Sequence, residues 1–113
     1  MSQFVYLYRR AADRGAFSPK EMQERVERWS AWFRRLQEGN RLVERGVPLE
    51  RTGAVRNRKG AITDGPYAES KDLVMGFSLI EAKDLDEAVA LAQGCPILED
   101  DGLVEVRPVM SLP

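Results

Sequence analysis

The 113-residue sequence predicts one α+β domain over residues 1–113, and three observations lead to this prediction. Two strand-like stretches, 4–8 and 73–80, are rich in aromatic and aliphatic residues. Each is followed by a segment with the signals of a helix. A third strand pattern lies near the end, at 104–107, where valines alternate with charged residues.

The composition excludes several classes of protein. Hydrophobic residues make up 43% and charged residues 31%, which is unlike a disordered chain. A net charge of -1 disfavours nucleic acid as a direct partner. No apolar run is long enough to span a membrane, and no leader pattern is found at the N-terminus, so we expect a cytoplasmic protein without membrane association.

The rare residue types narrow the chemistry further. Cys95 is the only cysteine, which excludes an intramolecular disulfide and favours a reducing compartment. The chain has no histidine, so neither a Ser-His-Asp triad nor a zinc site of histidines and cysteines can form. We therefore expect no metal and no cofactor.

The first helix has the clearest local signals. Ser18 and Glu21 form a capping-box pattern at its start, and Gly39 predicts its end. Apolar residues recur at helical spacing on one face: Met22, Val26, Trp29, Phe33 and Leu36. The opposite face is predicted to carry ion pairs between Glu21 and Arg25 and between Glu24 and Arg28.

The middle of the chain has weaker patterns. Residues 51–56 and 61–63 are predicted to be strands that flank a turn at 57–60. Residues 64–67 are predicted to form a second turn, in which Gly65 would tolerate unusual backbone angles. We expect two or three strands between the two helices.

The second half repeats the strand–helix–strand order. Residues 73–80 predict a central strand, and Asp84 caps a short helix with Glu87 three residues later. The predicted buried face of this helix consists of Leu85, Ala88, Val89 and Ala92. In the last strand Val104 and Val106 should face the core.

The resulting βαββαβ order predicts a ferredoxin-like fold, an antiparallel sheet with two helices on one face. Met75, Phe77 and Leu79 should share one face of the central strand, with Val74 and Ile80 on the other. Both faces are then apolar, although the helices cover only one. We expect a second copy to cover the other face in a homodimer.

The segment 64–77 resembles a known family, that of the DGPF domain, which belongs with the YCII-related proteins. The matching residues are Asp64, Gly65, Pro66, Glu69, Lys71 and Gly76. Tyr67 takes the place of the usual phenylalanine and Met75 that of a second glycine. Later stretches at 80–81, 84–88, 95–96 and 104–109 are also similar, so the resemblance extends over residues 4–110.

This resemblance implies a ferredoxin-like fold assembled as a dimeric α+β barrel, and no settled activity. Many members look like companions of alternative sigma factors, whereas some relatives look like small lyases or dehalogenating enzymes with a His-Asp pair. That pair cannot be carried over to a chain without histidine. Two hypotheses remain: a ligand-binding or regulatory accessory domain, and a cofactor-free lyase or isomerase acting on a small anionic organic acid.

Eight residues are candidates for a cleft that binds a small anionic ligand: Arg51, Arg56, Asp64, Tyr67, Glu69, Lys71, Glu105 and Arg107. Asp64 and Glu105 are the candidate catalytic bases. A structural interpretation stays open for each group. Asp64 can bond turn amides, and Glu69 with Lys71 can form an ordinary ion pair. Glu105 and Arg107 should face the interior shared by two subunits, and there they bind a ligand or each other.

Three other features are interpreted as structural. The acidic run 99–101 is predicted to be a solvated loop rather than a metal site. Cys95 is predicted to be a small buried residue, because no base is available to activate it. Trp29 and Trp32 are assigned to the core and the subunit interface rather than to the stacking of a ligand.

Overall fold

In a computed structural model, the chain forms six strands and two α-helices within the residues that the structure describes, which are 1–11, 15–60, 62–65 and 72–113. In chain order these elements are β1 (Ser2–Ala11), α1 (Pro19–Glu38), β2 (Leu42–Glu44), β3 (Ala54–Arg56), β4 (Ile62–Asp64), β5 (Asp72–Ala82), α2 (Leu85–Leu91) and β6 (Leu103–Pro108). A 3₁₀ helix, Pro96–Asp100, lies between α2 and β6. None of the helices in these ranges is long and apolar enough to cross a membrane.

Four strands form an antiparallel sheet in the order β2-β5-β1-β6. The two central strands, β1 and β5, pair along their whole length, from Ser2 opposite Ala82 to Ala11 opposite Asp72. Both helices contribute to one core on one face of this sheet. The ferredoxin-like prediction is therefore confirmed.

The core is built on the tyrosines of β1. Tyr6 and Tyr8 are buried on the helix-covered face, and Trp32 of α1 stacks on Tyr6 with 6.0 Å between ring centroids. The Tyr6 hydroxyl donates a hydrogen bond to the carbonyl oxygen of Ala88 in α2. Trp32 is almost completely buried, so it belongs to the core.

The helix boundaries follow the predicted capping signals. At the start of α1 the Glu21 N–H donates to Ser18 Oγ over 3.1 Å, and the Ser18 N–H donates to Glu21 Oε1 over 3.0 Å. Gly39 caps the other end. At the start of α2 the Glu87 N–H donates to Asp84 Oδ1 over 2.9 Å.

The buried face of α2 differs from the prediction. Ala88 and Ala92 are buried and Leu91 packs beside them, whereas Leu85 and Val89 are exposed. Small side chains let this short helix lie close to the sheet, and the larger aliphatic residues are then turned outward.

The middle strands also differ. The sheet's edge strand β2 was not predicted, because three residues carry no recognisable periodicity. The predicted strands around 51–56 and 61–63 correspond to β3 and β4, which form a separate two-stranded hairpin. Its turn is confirmed, since the Gly60 N–H donates to the Asn57 carbonyl oxygen over 3.0 Å.

A β-bulge in β5 changes which residues share a face. Tyr8 lies opposite Gly76 and Arg9 lies opposite Val74, so Met75 is the extra residue. The alternation of side chains shifts at this point, and Val74 joins the face of Phe77 and Leu79. The prediction that Val74 shares a face with Ile80 is therefore wrong. Met75, which was predicted to share the face of Phe77 and Leu79, is instead the extra residue of the bulge.

The sheet face away from the helices, which we call the open face, combines apolar and charged side chains. It carries Val5, Leu7, Val74, Phe77 and Leu79. Both α-helices lie on the other side, so no described helix covers these side chains.

Candidate ligand-binding site

A pocket of about 370 Å³ lies on the helix-covered side of the molecule. It is bounded by residues 22–33 of α1, the end of β1, the bulge of β5 and the segment 45–49 that follows β2. Its volume is at the lower end of the range for small-molecule sites. Most of the wall is apolar, and it includes Tyr8, Phe17, Trp29, Phe33, Val47 and Met75.

Two glycines allow the segment 45–49 to form a wall of the pocket. Gly46 has a φ of +75°, and a Cβ at this position would collide with the carbonyl oxygen of Phe77. A Cβ on Gly76 would lie 2.9 Å from the Val47 carbonyl oxygen. The glycines therefore let the two backbones run in direct contact.

Two buried arginines lie at one end of the pocket, Arg10 from β1 and Arg25 from α1. Their guanidinium carbons lie 5.0 Å and 4.3 Å from the centroid of the Phe17 ring. A guanidinium cation is attracted to the face of an aromatic ring at such distances. Arg25 also forms a buried ion pair with Asp100 of the 3₁₀ helix, which offsets its charge.

A third arginine, Arg45, belongs to the wall segment and is exposed. Its Nη2 donates to Ser30 Oγ of α1 over 3.1 Å, and its guanidinium carbon lies 4.7 Å from the centroid of the Phe33 ring. Both of these partners are neutral. Arg45 therefore presents a full positive charge at the pocket.

A buried hydrogen-bond chain connects the pocket wall to the Arg45 backbone. The Tyr8 hydroxyl donates to Ser78 Oγ over 2.8 Å, and Ser78 Oγ donates to the Arg45 carbonyl oxygen over 2.6 Å. Burial raises the pKa of the Tyr8 phenol far above its usual value, so the hydroxyl keeps its proton. The Tyr8 ring also contacts Trp29 edge-on, with 4.8 Å between centroids.

The residues that line the pocket suit an anion that carries an apolar group. Three arginines line it, and none of the described lining residues is acidic. Arginine is the side chain best suited to bind carboxylate or phosphate groups, and the aromatic wall suits an apolar remainder. Cys95 lies outside this lining, and burial raises the pKa of its thiol to about 12, which agrees with the prediction of an unreactive residue.

The last strand has the predicted orientation. Val104 and Val106 pack against the core, and Glu105 and Arg107 therefore lie on the open face. The partner of Glu105 is Arg9 of β1, whose Nε donates to Glu105 Oε1 over 2.8 Å. Arg107 is exposed on the same face.

The other predicted site residues lie elsewhere. Arg51 is half-buried in the connection before β3, Arg56 is exposed at the end of β3, and Asp64 is the last residue of β4. The side chain of Asp64 and the whole of Tyr67, Glu69 and Lys71 lie outside the described residues. A ligand cleft formed by these residues stays a prediction.

The acidic run before β6 has structural partners. Glu99 pairs with Arg28 over 3.1 Å, and Asp100 pairs with Arg25. The two acids thus attach the 3₁₀ helix to α1, and the prediction of a solvated loop is wrong for Asp100, whose side chain is buried in its ion pair.

The pocket arginines were not predicted from the sequence, although two of them had a signal. Arg10 continues the period of two set by Tyr6 and Tyr8, which places it on the helix-covered face. Arg25 lies four residues before Trp29, and so at the edge of the apolar stripe rather than on the solvated side. Arg45 follows a strand without a recognisable pattern and had no such signal.

Comparison with known proteins supports the family assignment. The family model of the YCII-related domain matches residues 3–113. An uncharacterised protein of Rhizobium meliloti (strain 1021) is 38% identical over 96 residues, which cover 80% of this chain and 77% of that protein. The chain therefore belongs to the YCII-related domain family.

Proposed function

We propose that the protein is a cytoplasmic homodimer that binds a small organic anion with an apolar body, and that it acts as a ligand-binding accessory domain. The observation that carries the proposal is the pocket beneath α1. It combines aromatic walls with Arg10, Arg25 and Arg45, and its described lining has no acidic residue that would repel an anion.

The alternative of a lyase or isomerase has less support. Such a reaction needs a proton acceptor beside the ligand. Tyr8 lines the pocket, but its raised pKa keeps it protonated. Glu105 lies on the open face and is paired with Arg9. A binding role needs only the arginines and the apolar wall, and it fits a family many of whose members look like companions of alternative sigma factors.

The open face supports the proposed homodimer. Its half-buried and exposed apolar side chains form a surface that two copies could cover by a two-fold arrangement. In the single chain the side chains of Arg9 and Glu105 are 25% and 35% exposed. In the proposed dimer this ion pair would be enclosed between the subunits.

The binding proposal is tested by thermal unfolding in the presence of defined probes. Phenylacetate, 4-phenylbutyrate and hexanoate supply an anion on an apolar body, and their neutral amides supply the same body without charge. Inorganic phosphate supplies charge alone. A ligand that binds only the folded state raises the melting temperature. We expect the acids to raise it, and the amides and phosphate to raise it much less.

A matched pair of variants assigns the binding to the pocket. Val26→Glu places a carboxylate at the pocket in an exposed helical position, where the native side chain is 56% exposed. Val89→Glu makes the same change on α2, outside the pocket, at a valine that is 54% exposed. The first variant should lose the response to acids and the second should keep it. Equal responses in both variants, or no response in the wild-type protein, would contradict the proposal.

A further inference from the structure

We infer that Arg45 is the group that holds the anion, that Ser78 positions it, and that the ligand is an elongated organic acid with its one charged group at Arg45. This inference rests on the proposed function and specifies the ligand class and its orientation. The remainder of such a ligand would extend along α1 past Trp29.

Arg45 differs from the other two arginines in its surroundings. Arg25 is buried and its charge is offset by Asp100. Arg10 is also buried, and both guanidinium groups lie against the Phe17 ring. An anion would have to disturb these packed groups, whereas Arg45 is exposed.

The contacts of Arg45 leave it ready to accept an anion. It donates one hydrogen bond to the hydroxyl of Ser30 and lies over the Phe33 ring. These contacts orient the guanidinium group without neutralising it. Binding an acid there requires no ion pair to be broken, and a guanidinium group offers several further N–H donors.

The row of lining residues along α1 indicates the direction in which the ligand extends. Phe33, Trp29, Val26 and Met22 line the pocket in succession along α1. From Phe33 to Met22 the helix rises about 16 Å at 1.5 Å per residue. Arg45 lies at the Phe33 end of this row, so the apolar part of a ligand held by Arg45 would follow Trp29 and Val26 toward Met22.

Ser78 fixes the backbone that carries Arg45. Its hydroxyl is fully buried, accepts from Tyr8 and donates to the Arg45 carbonyl oxygen. On a strand face of otherwise apolar residues, a buried serine is expected only where its hydrogen bonds are satisfied. Ser78 does not line the pocket, so we expect its effect on binding to pass through the Arg45 backbone that its hydroxyl holds.

The test is a calorimetric titration of 4-phenylbutyrate and its amide into variants of the full chain. Arg45→Gln should weaken binding of the acid about 10- to 100-fold, because a charge-assisted hydrogen bond is lost, and leave binding of the amide unchanged. Arg34→Gln is the matched control, since Arg34 is an exposed arginine of α1 outside the pocket. It should bind the acid as the wild-type protein does.

The role of Ser78 is tested by a double-mutant cycle. Ser78→Ala should weaken binding of the acid, but the double variant with Arg45→Gln should bind no more weakly than Arg45→Gln alone. Ser78→Cys, which is nearly isosteric and a weak donor, replaces the alanine variant if that variant does not fold. Additive losses would overturn the positioning role.

The outcomes separate this inference from the proposed function. If Arg45→Gln binds the acid like Arg34→Gln while Val26→Glu does not bind it, the pocket binds anions but Arg45 does not hold them. That result overturns the inference alone. If the wild-type protein binds none of the acids, both are overturned.

Discussion

At the scale of single residues, glycine is required for two different reasons: a left-handed backbone conformation, and a lack of space for a side chain. Gly46 has a φ of +75° and lies against the Phe77 carbonyl group. Gly60 has a φ of +84°, and a Cβ there would meet no atom within 4 Å. Both positions disfavour a side chain, but only Gly46 also lacks the space for one.

This difference predicts unequal effects of the same substitution. Gly60→Ala should lower the free energy of unfolding by about 1–2 kcal/mol, the usual cost of a left-handed conformation. Gly46→Ala should cost about 3 kcal/mol or more, because the wall segment must also move away from β5. Urea denaturation measures both losses. Equal losses would show that the segment 45–49 does not pack against β5 as described.

The buried thiol of Cys95 predicts a dependence of stability on alkaline pH. Burial raises the pKa of this thiol from 9.0 to about 12 in the folded chain. Above the lower value the unfolded chain releases a proton that the folded chain retains, so this contribution to stability is complete below pH 9 and is lost toward pH 12.

The variant Cys95→Ala isolates this contribution. Its free energy of unfolding should decline less steeply with pH than that of the wild-type protein, by up to about 1.4 kcal/mol per pH unit. Tyr6 and Tyr8 also have raised pKa values, and the burial that is the main cause of these shifts is present in both proteins. Urea denaturation at several pH values between 8 and 11 provides the comparison, and parallel declines would mean that the thiol is accessible to solvent.

At the scale of secondary structure elements, the pairing of β1 with β6 determines the partner of Glu105. Arg9 lies within 2.8 Å of Glu105, whereas Arg107 is exposed two residues farther along β6. A double-mutant cycle of Arg9→Met and Glu105→Gln should show a coupling of about 0.2–1 kcal/mol, which is typical of partly exposed ion pairs. The same cycle with Arg107→Met is the control and should show less. A larger coupling to Arg107 would contradict the described pairing.

Elements with strong local signals were the ones that the sequence predicted well. Ser18, Glu21 and Gly39 delimit α1 because capping depends on neighbouring residues alone. The strand β2 and the bulge at Met75 were missed, because both depend on pairing with a distant strand. Residues 73–80 are apolar on both faces, so their pattern does not show where the alternation of side chains shifts at the bulge.

The site was harder to predict than the fold. The predicted site consisted mainly of charged residues near the turn at 64–67 and on the last strand. The pocket is instead lined by Arg10 of β1, Arg25 of α1 and Arg45 of the segment after β2, which only the tertiary structure brings together. Arg25 was assigned to the solvated face, because its ion-pair partner, Asp100, lies far from it in the sequence and could not be recognised.

At the scale of the whole molecule, the open face predicts self-association. Leu79→Glu places a charge in the middle of that face, and we expect it to shift the protein from dimer to monomer. Leu85→Glu is the control, since Leu85 is an exposed leucine of α2 on the other side of the sheet. Sedimentation velocity at micromolar concentration measures the outcome. A wild-type protein that sediments as a monomer would refute the proposed dimer.

The central claim is that the arginine-lined pocket beneath α1 binds an organic acid. The most direct measurement is a crystal structure of the protein grown with 4-phenylbutyrate. We expect electron density for the ligand between α1 and the segment 45–49, with its carboxylate within hydrogen-bonding distance of the Arg45 guanidinium group. Density for the ligand on the open face beside Glu105 and Arg107, with an empty pocket, would contradict it.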